Sequence, residues 1–288
     1  MYLMKPYDDA LQEILETGVS RTNKRTGIKT LSVFGMMKKY RLNTGHFPLL
    51  TRRKVWPKSV FAELIWFLSG STSNKDLQKL GCNFWNPWVD HEWEKKHGFE
   101  EDTFGPVYGF QLRHFGGNYN KGFHNEGYGS RGFDQLAWVV NRIKEDPSCR
   151  RTLWTLWNPN DLHEMRLPPC HMMYQVLVDD DRHLTGILYQ RSCDFPVGVP
   201  ANIFFYACLT TMLAQQTNCV PHEFVHVTAD SHIYEDQIDA VKEYLATPMI
   251  DSPRVKIQKA ADMFSYKPED LEITDYNPGP VIKIPVAV

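Results

Sequence analysis

The alternation of apolar and polar positions divides the chain into elements of two periods. Apolar residues recur at helical spacing in "FDQLAWVVNRIKED" (Phe133 to Asp146), and "YEDQIDAVKEYLAT" (Tyr234 to Thr247) makes an amphipathic helix. A helix near Lys5 to Thr17 opens the chain, and two helices that are apolar on nearly every side follow, near Pro57 to Ser69 and over Val199 to Asn218. Strand signals lie near Thr30 to Leu42, over Arg150 to Asn158 and over Glu223 to Asp230, with a hairpin from Cys170 to Ser192 turning at Asp179 to Arg182. Strands and helices mix without βαβ alternation. This predicts an α+β fold: a single domain over residues 1–288, with a large mixed or predominantly antiparallel sheet packed by helices. The Gly- and Asn-rich stretch from His114 to Phe133 reads as a surface-loop insertion, and no linker divides the chain.

Composition narrows the class. The chain has 288 residues, of which 42% are hydrophobic and 13% aromatic, enough to bury a full core. A formal net charge of -2 argues against a protein that coats nucleic acid, so any phosphate it binds is gripped locally. The six cysteines show neither zinc-site nor CxxC spacing and read as free thiols of a reducing compartment; no metal is expected. The most apolar segment, Ser59 to Leu68, is too short to span a membrane and contains Glu63, so a cytoplasmic location is expected.

Four polar groups stand out against this pattern. In "LPPCHMMYQ" two prolines fix a rigid extended corner immediately before a strand, which would hold the Cys170 sulfur at a set place. A nucleophilic thiolate needs nearby positive charge, and His171 and several arginines could converge on it. His171 does not read as its direct base, since adjacent strand residues face opposite ways. In "YQRSCD", Arg191 and Ser192 offer a fork of donors and a hydroxyl that suit a phosphate, and Arg150 with Arg151 opens the earlier strand. Glu63 is a carboxylate embedded in apolar "FAELIWFL", so it must be paired, hydrated or used as an acid or base. Asn202, at the mouth of the Val199 helix, reads either as a capping amide or as a reader of a nucleobase edge, and His232 in "DSHIY" as a satisfied imidazole or a ligand contact.

Taken in order, "KRTGIKTLSVFG", "AELIWFLSGST", "GPVYGFQLRHFG", "DPSCRR", "LPPCH", "LYQRSCD", "VGVPANI", "DSHIY" and "IKIPVAV" resemble the thymidylate synthase family over nearly the whole chain. The resemblance implies reductive methylation of dUMP to dTMP with 5,10-methylenetetrahydrofolate as one-carbon donor and reductant, Cys170 adding as thiolate to C6 of the uracil. It implies a homodimer joined through the sheet face. Arg25, Arg191 and Ser192 would then grip the phosphate, with Arg150 and Arg151 supplied across the interface. Asn202 would hold the uracil edge, where an aspartate resembles the cytosine-using relatives. His232 and Tyr234 would bind the deoxyribose, Glu63 would move protons, and Tyr108 with His171 would support the hydrogen-bond network. Asp194 and Trp85 would serve the folate side, with Ala287 and Val288 closing as a lid.

Three positions depart from the family pattern: Ala201 where an aromatic is usual, Ala229 where glycine is usual, and the bulkier strand around Trp154. They raise a rival, a dUMP hydroxymethylase in which water ends the reaction. A second rival is a non-catalytic nucleotide- or RNA-binding protein using "RTNKRTGIK" and "TRRKVWPK", although these basic runs read as solvated faces or folate-tail contacts. A Cys-His hydrolase has no identifiable oxyanion motif to support it.

Overall fold

The computed structural model describes residues 1–24, 27–121, 129–130 and 132–286. In chain order, the first half holds α1 (Lys5–Thr17), β1 (Val19–Thr22), β2 (Lys29–Arg41), α2 (Pro57–Ser69), α3 (Asn74–Lys79), α4 (His91–His97) and α5 (Tyr108–Arg113). Two short strands, β3 (Asn118–Tyr119) and β4 (Gly129–Ser130), precede α6 (Gln135–Glu145) and β5 (Leu153–Thr155). The second half holds β6 (His171–Val178), β7 (His183–Asp194), α7 (Gly198–Gln216), β8 (Val220–Tyr234), α8 (Ile238–Ala246), β9 (Arg254–Ile257) and β10 (Leu271–Thr274).

The main sheet has six strands in the order β1-β2-β8-β7-β6-β5, antiparallel throughout except for the parallel pair β7–β8. That pair needs a crossover, and α7 supplies it. Because α7 lies between the sheet and α2, it is apolar all round, with Ile203, Phe204, Tyr206, Cys208 and Leu213 all buried. The apolar α2 starts on Pro57, whose missing N–H costs a first turn nothing, and stops at Gly70, whose φ of 81° is left-handed. The α+β architecture with a mixed sheet is the one the sequence pattern predicts.

Several boundaries differ, each for a tertiary reason. β8 continues through "DSHIY" because Thr228 to Tyr234 pair with Thr30 to Met36 of β2, so α8 begins only at Ile238, after a single 3₁₀ turn. β5 is only three residues long because the Gln135 amide takes over as a ladder partner, donating to the Thr155 carbonyl and accepting from its N–H at 2.7 and 3.1 Å. The expected loop from His114 to Phe133 is paired at its ends, by a Phe115–Phe133 bridge and by β3 with β4, while residues 122–128 lie outside the described part.

The sheet face turned away from α7 carries an apolar row. Met173 stands opposite Tyr189, Tyr189 beside Val227, and Val227 opposite Met37, a continuous line across β6, β7, β8 and β2. Three of these stay exposed, Met37 at 60%, Met173 at 40% and Tyr189 at 36%, while their strand neighbours Met36, Tyr174 and Leu188 are buried on the other face.

Candidate active site

The site grows from the proline corner. Pro168 and Pro169 have no N–H to give, and their carbonyls are taken by the Arg191 guanidinium, Nη2 donating to Pro168 at 2.7 Å and Nε to Pro169 at 2.9 Å. The Arg191 backbone N–H then donates to the Cys170 carbonyl at 2.9 Å, and the Cys170 N–H to the Tyr108 hydroxyl at 2.8 Å. The Cys170 N–H and the carbonyls of Pro168, Pro169 and Cys170 thus all have partners, and the guanidinium is held against the two residues that precede the half-buried Cys170. Arg191 also stacks over Trp157, 5.3 Å from the ring centre.

His171 begins β6 with its ring against Tyr108 and Tyr206, and burial pushes its pKa down to about 4. It is therefore neutral at physiological pH and is not the source of positive charge for Cys170 that the sequence suggested. Asn202 accepts at Oδ1 from Gln190 Nε2 at 3.1 Å. Since α7 starts at Gly198, Asn202 is one turn inside the helix, and the capping alternative falls.

Glu63, on α2, accepts from the Trp85 indole N–H at 2.5 Å. Burial in an apolar helix raises its pKa to about 7, and the indole bond only partly opposes the rise. Trp85 packs edge-on against Tyr108 at 5.7 Å, so Glu63, Trp85, Tyr108 and Cys170 form one contiguous wall. Across β7, the Asp194 carboxyl accepts from Gln237 Nε2 at 3.2 Å and is held above the usual carboxylate range by burial. The same Gln237 nitrogen donates to the Pro285 carbonyl at 2.9 Å, which ties the C-terminal segment to the Asp194 side of the site. His232 pairs with Asp230 at 3.3 Å, and Asp230 with Arg21 at 2.8 Å. Tyr234 is buried at the end of β8, 5.1 Å from the His232 ring, and Ser192 is half-buried beside Arg191.

Arg150 and Arg151 are elsewhere. They are exposed in the turn before β5, and the Thr152 carbonyl accepts from Val176, six residues along β6 from Cys170. Six extended residues span about 20 Å, too far for either side chain to join a phosphate held beside Cys170 of the same chain. Arg25, Ala287 and Val288 lie outside the described residues.

Five residues were missed from sequence or misread there. Gln190 and His226 are buried polar side chains on strands that are otherwise apolar around them, and that inward polarity is the signal that could have found them; Gln237, buried in an acidic 3₁₀ turn, leaves no such signal. Arg52 and Arg53, read as part of a solvated basic run, are 8% and 7% exposed. Arg52 pairs with Asp8 at 2.8 Å, and Arg53 donates to the Pro196 carbonyl at 2.7 Å, while its Nε is buried without a hydrogen-bond partner among the described residues. Of the departures, Trp154 is core, stacked at 4.8 Å on Tyr174, whereas Ala201 and Ala229 are half-buried, Ala201 one position before Asn202.

The thymidylate synthase family model matches residues 5–288. The chain belongs to the thymidylate synthase family. A thymidylate synthase of Herpesvirus ateles is 42% identical over 286 residues, covering 98% of this chain and 97% of the relative. The human thymidylate synthase is 43% identical over 286 residues, covering 98% and 90%. A bifunctional dihydrofolate reductase-thymidylate synthase of Paramecium tetraurelia is 40% identical over 285 residues, covering 98% of this chain and 61% of its own length. Among the described residues no helix is long and apolar enough to cross a membrane, and no cluster of three or more His, Cys, Asp or Glu could hold a metal.

Proposed function

We propose that this member of the thymidylate synthase family converts dUMP to dTMP with 5,10-methylenetetrahydrofolate, through a covalent bond from Cys170 Sγ to C6 of the uracil. The observation that carries the reading is the Cys170 corner: a cysteine whose two preceding carbonyls hold the Arg191 guanidinium, its own backbone pinned by Tyr108 and Arg191, on the same wall as a carboxyl with a pKa of about 7. Addition of the thiolate at C6 makes C5 nucleophilic. Glu63, half ionised near neutrality, can take and return the protons that accompany charge at O4 and C5. Asn202 pairs with O4 and N3 of the base, His232 and Tyr234 hold the deoxyribose, and Tyr108 and His171 keep the surrounding hydrogen bonds in place.

The residues facing the folate side fit a reduced pterin with an acidic tail. Asp194 can accept from the amino-pyrimidine edge, Trp85 offers an aromatic wall, and Arg53 has a buried N–H still to be satisfied. When bound, the folate supplies the one-carbon unit and then a hydride, leaving as dihydrofolate. The C-terminal segment, tethered through Gln237, would bring Ala287 and Val288 over this side to keep water away.

The phosphate grip combines Arg25, Arg191 and Ser192 of one chain with Arg150 and Arg151 of a second. Their distance from Cys170 within one chain supports this, and the apolar row Met37–Val227–Tyr189–Met173 supports a homodimer joined face to face. Burying such side chains stabilises by about 1.5–3 kcal/mol each. A cytoplasmic setting fits six free thiols, and the net charge of -2 fits small-molecule ligands without nucleic acid. The test is to incubate the enzyme with dUMP and methylenetetrahydrofolate, following dihydrofolate by absorbance and the nucleotide by mass. Equal amounts of dTMP and dihydrofolate are expected; nucleotide turnover without dihydrofolate would make the enzyme a hydroxymethylase.

A further inference from the structure

His226, on β8 opposite Leu188 of β7, is used by none of the steps above. It is 2% exposed on β8, beneath α7, and its Nε2 lies 2.8 Å from Gln190 Oε1. Gln190, 3% exposed, turns its Nε2 to two acceptors, the Ser192 carbonyl and Asn202 Oδ1, each at 3.1 Å.

The polarity of this chain can be read from one end. A backbone carbonyl only accepts, so the Gln190 atom facing Ser192 is the NH₂ group, and Oε1 faces His226. An oxygen there requires the imidazole to donate from Nε2. At the other end, an NH₂ group facing Asn202 requires Oδ1 on that side, which leaves the Asn202 NH₂ at the opposite corner of the amide.

That corner matters for the base. Uracil offers an accepting O4 and a donating N3–H; cytosine offers a donating amino group and an accepting N3. An amide with its NH₂ at the O4 corner pairs with uracil in both places, and the same amide flipped pairs with cytosine. A flipped Asn202 would set NH₂ against the NH₂ of Gln190, a buried donor–donor conflict.

We propose that His226 is a positioning residue for nucleobase selection, which through Gln190 locks the Asn202 amide in the orientation that accepts uracil and refuses cytosine. The proposal rests on the reading of dUMP as substrate. It identifies selection as a property of a buried relay, and Asn202 alone does not carry it.

Three variants test the relay, with discrimination, the ratio of kcat/KM for dUMP to that for dCMP, as the measurement. His226→Phe keeps the ring and removes the donor, leaving Gln190 Oε1 buried without a partner; discrimination should fall roughly tenfold, the scale set by one lost buried hydrogen bond. His226→Gln, which can donate again, should restore most of it. Gln190→Glu presents only acceptors to Asn202 and should draw the Asn202 NH₂ inward, lowering dUMP use and raising dCMP use together. A purely structural role would lower both substrates in proportion. Unchanged discrimination in a folded His226→Phe enzyme, or in Gln190→Glu should His226→Phe fail to fold, overturns the relay. The wild-type enzyme is assayed first: if it does not turn over dUMP at all, it is the activity reading that fails.

Discussion

The two ends of β6 are built for different company. At the His171 end, the chain emerges from a proline corner whose three carbonyls and Cys170 N–H are all held within one protomer, by Arg191 and Tyr108. About 20 Å away, beside Val176, Arg150 and Arg151 stand exposed in a turn, cationic side chains with no anion of their own site to meet. The first end is finished by folding. The second leaves two cations exposed on a sheet that also carries an exposed apolar row, the two features on which the proposed dimer rests.

The sharpest way to break this contrast is at the finished end. Cys170→Ser should lower dTMP formation by about 10⁴-fold or more while leaving the fold and dUMP binding intact, as equilibrium binding would show. A charge in the apolar row, Met173→Asp, should come next: sedimentation should show monomers, and activity should fall with the loss of assembly, because a buried uncompensated charge costs several kcal/mol. Glu63→Gln should lower kcat about 10²- to 10³-fold and remove the limb of the pH profile near pH 7.

Glu63 also carries a stability signature. The fold raises its pKa from 4.5 to about 7, so the folded protein binds more protons than the unfolded chain between those values. Stability contributed by the protonated form is full at low pH and is lost as pH rises through that window. Denaturant titrations from pH 4.5 to 7 should show a downward slope that Glu63→Gln flattens. The smallest of these effects belongs to the tail. Gln237→Ala releases Asp194 from Pro285 and should raise the KM for folate several-fold with little change in that for dUMP, a split readable from steady-state kinetics.

Much of the finished end was legible in the sequence. Proline geometry pointed at Cys170, and an acid inside an apolar helix pointed at Glu63, because each departs from the local pattern around it. Five of the six strands of the main sheet and the helices α1, α2, α6, α7 and α8 followed from the pattern of apolar positions. What was illegible depended on tertiary partners: β8 outruns its strand signal because β2 pairs with it, and α3, α4 and α5, of six or seven residues, are too short for periodicity to show. Arg52 and Arg53 look like surface in "TRRK" and are buried, since Asp8 and the Pro196 carbonyl wait for them from distant segments. The 20 Å separation of the arginine doublet from Cys170 follows from the β5–β6 register, which no motif records.

The most direct test mixes two inactive proteins, one carrying Cys170→Ser and the other Arg150→Ala with Arg151→Ala, after reversible dissociation. If each phosphate grip borrows its arginine doublet from the neighbouring chain, half of the randomly reassembled dimers hold one intact site, and activity should return to about a quarter of the wild-type level. A mixture that stays as inactive as its components would contradict a site shared between two chains.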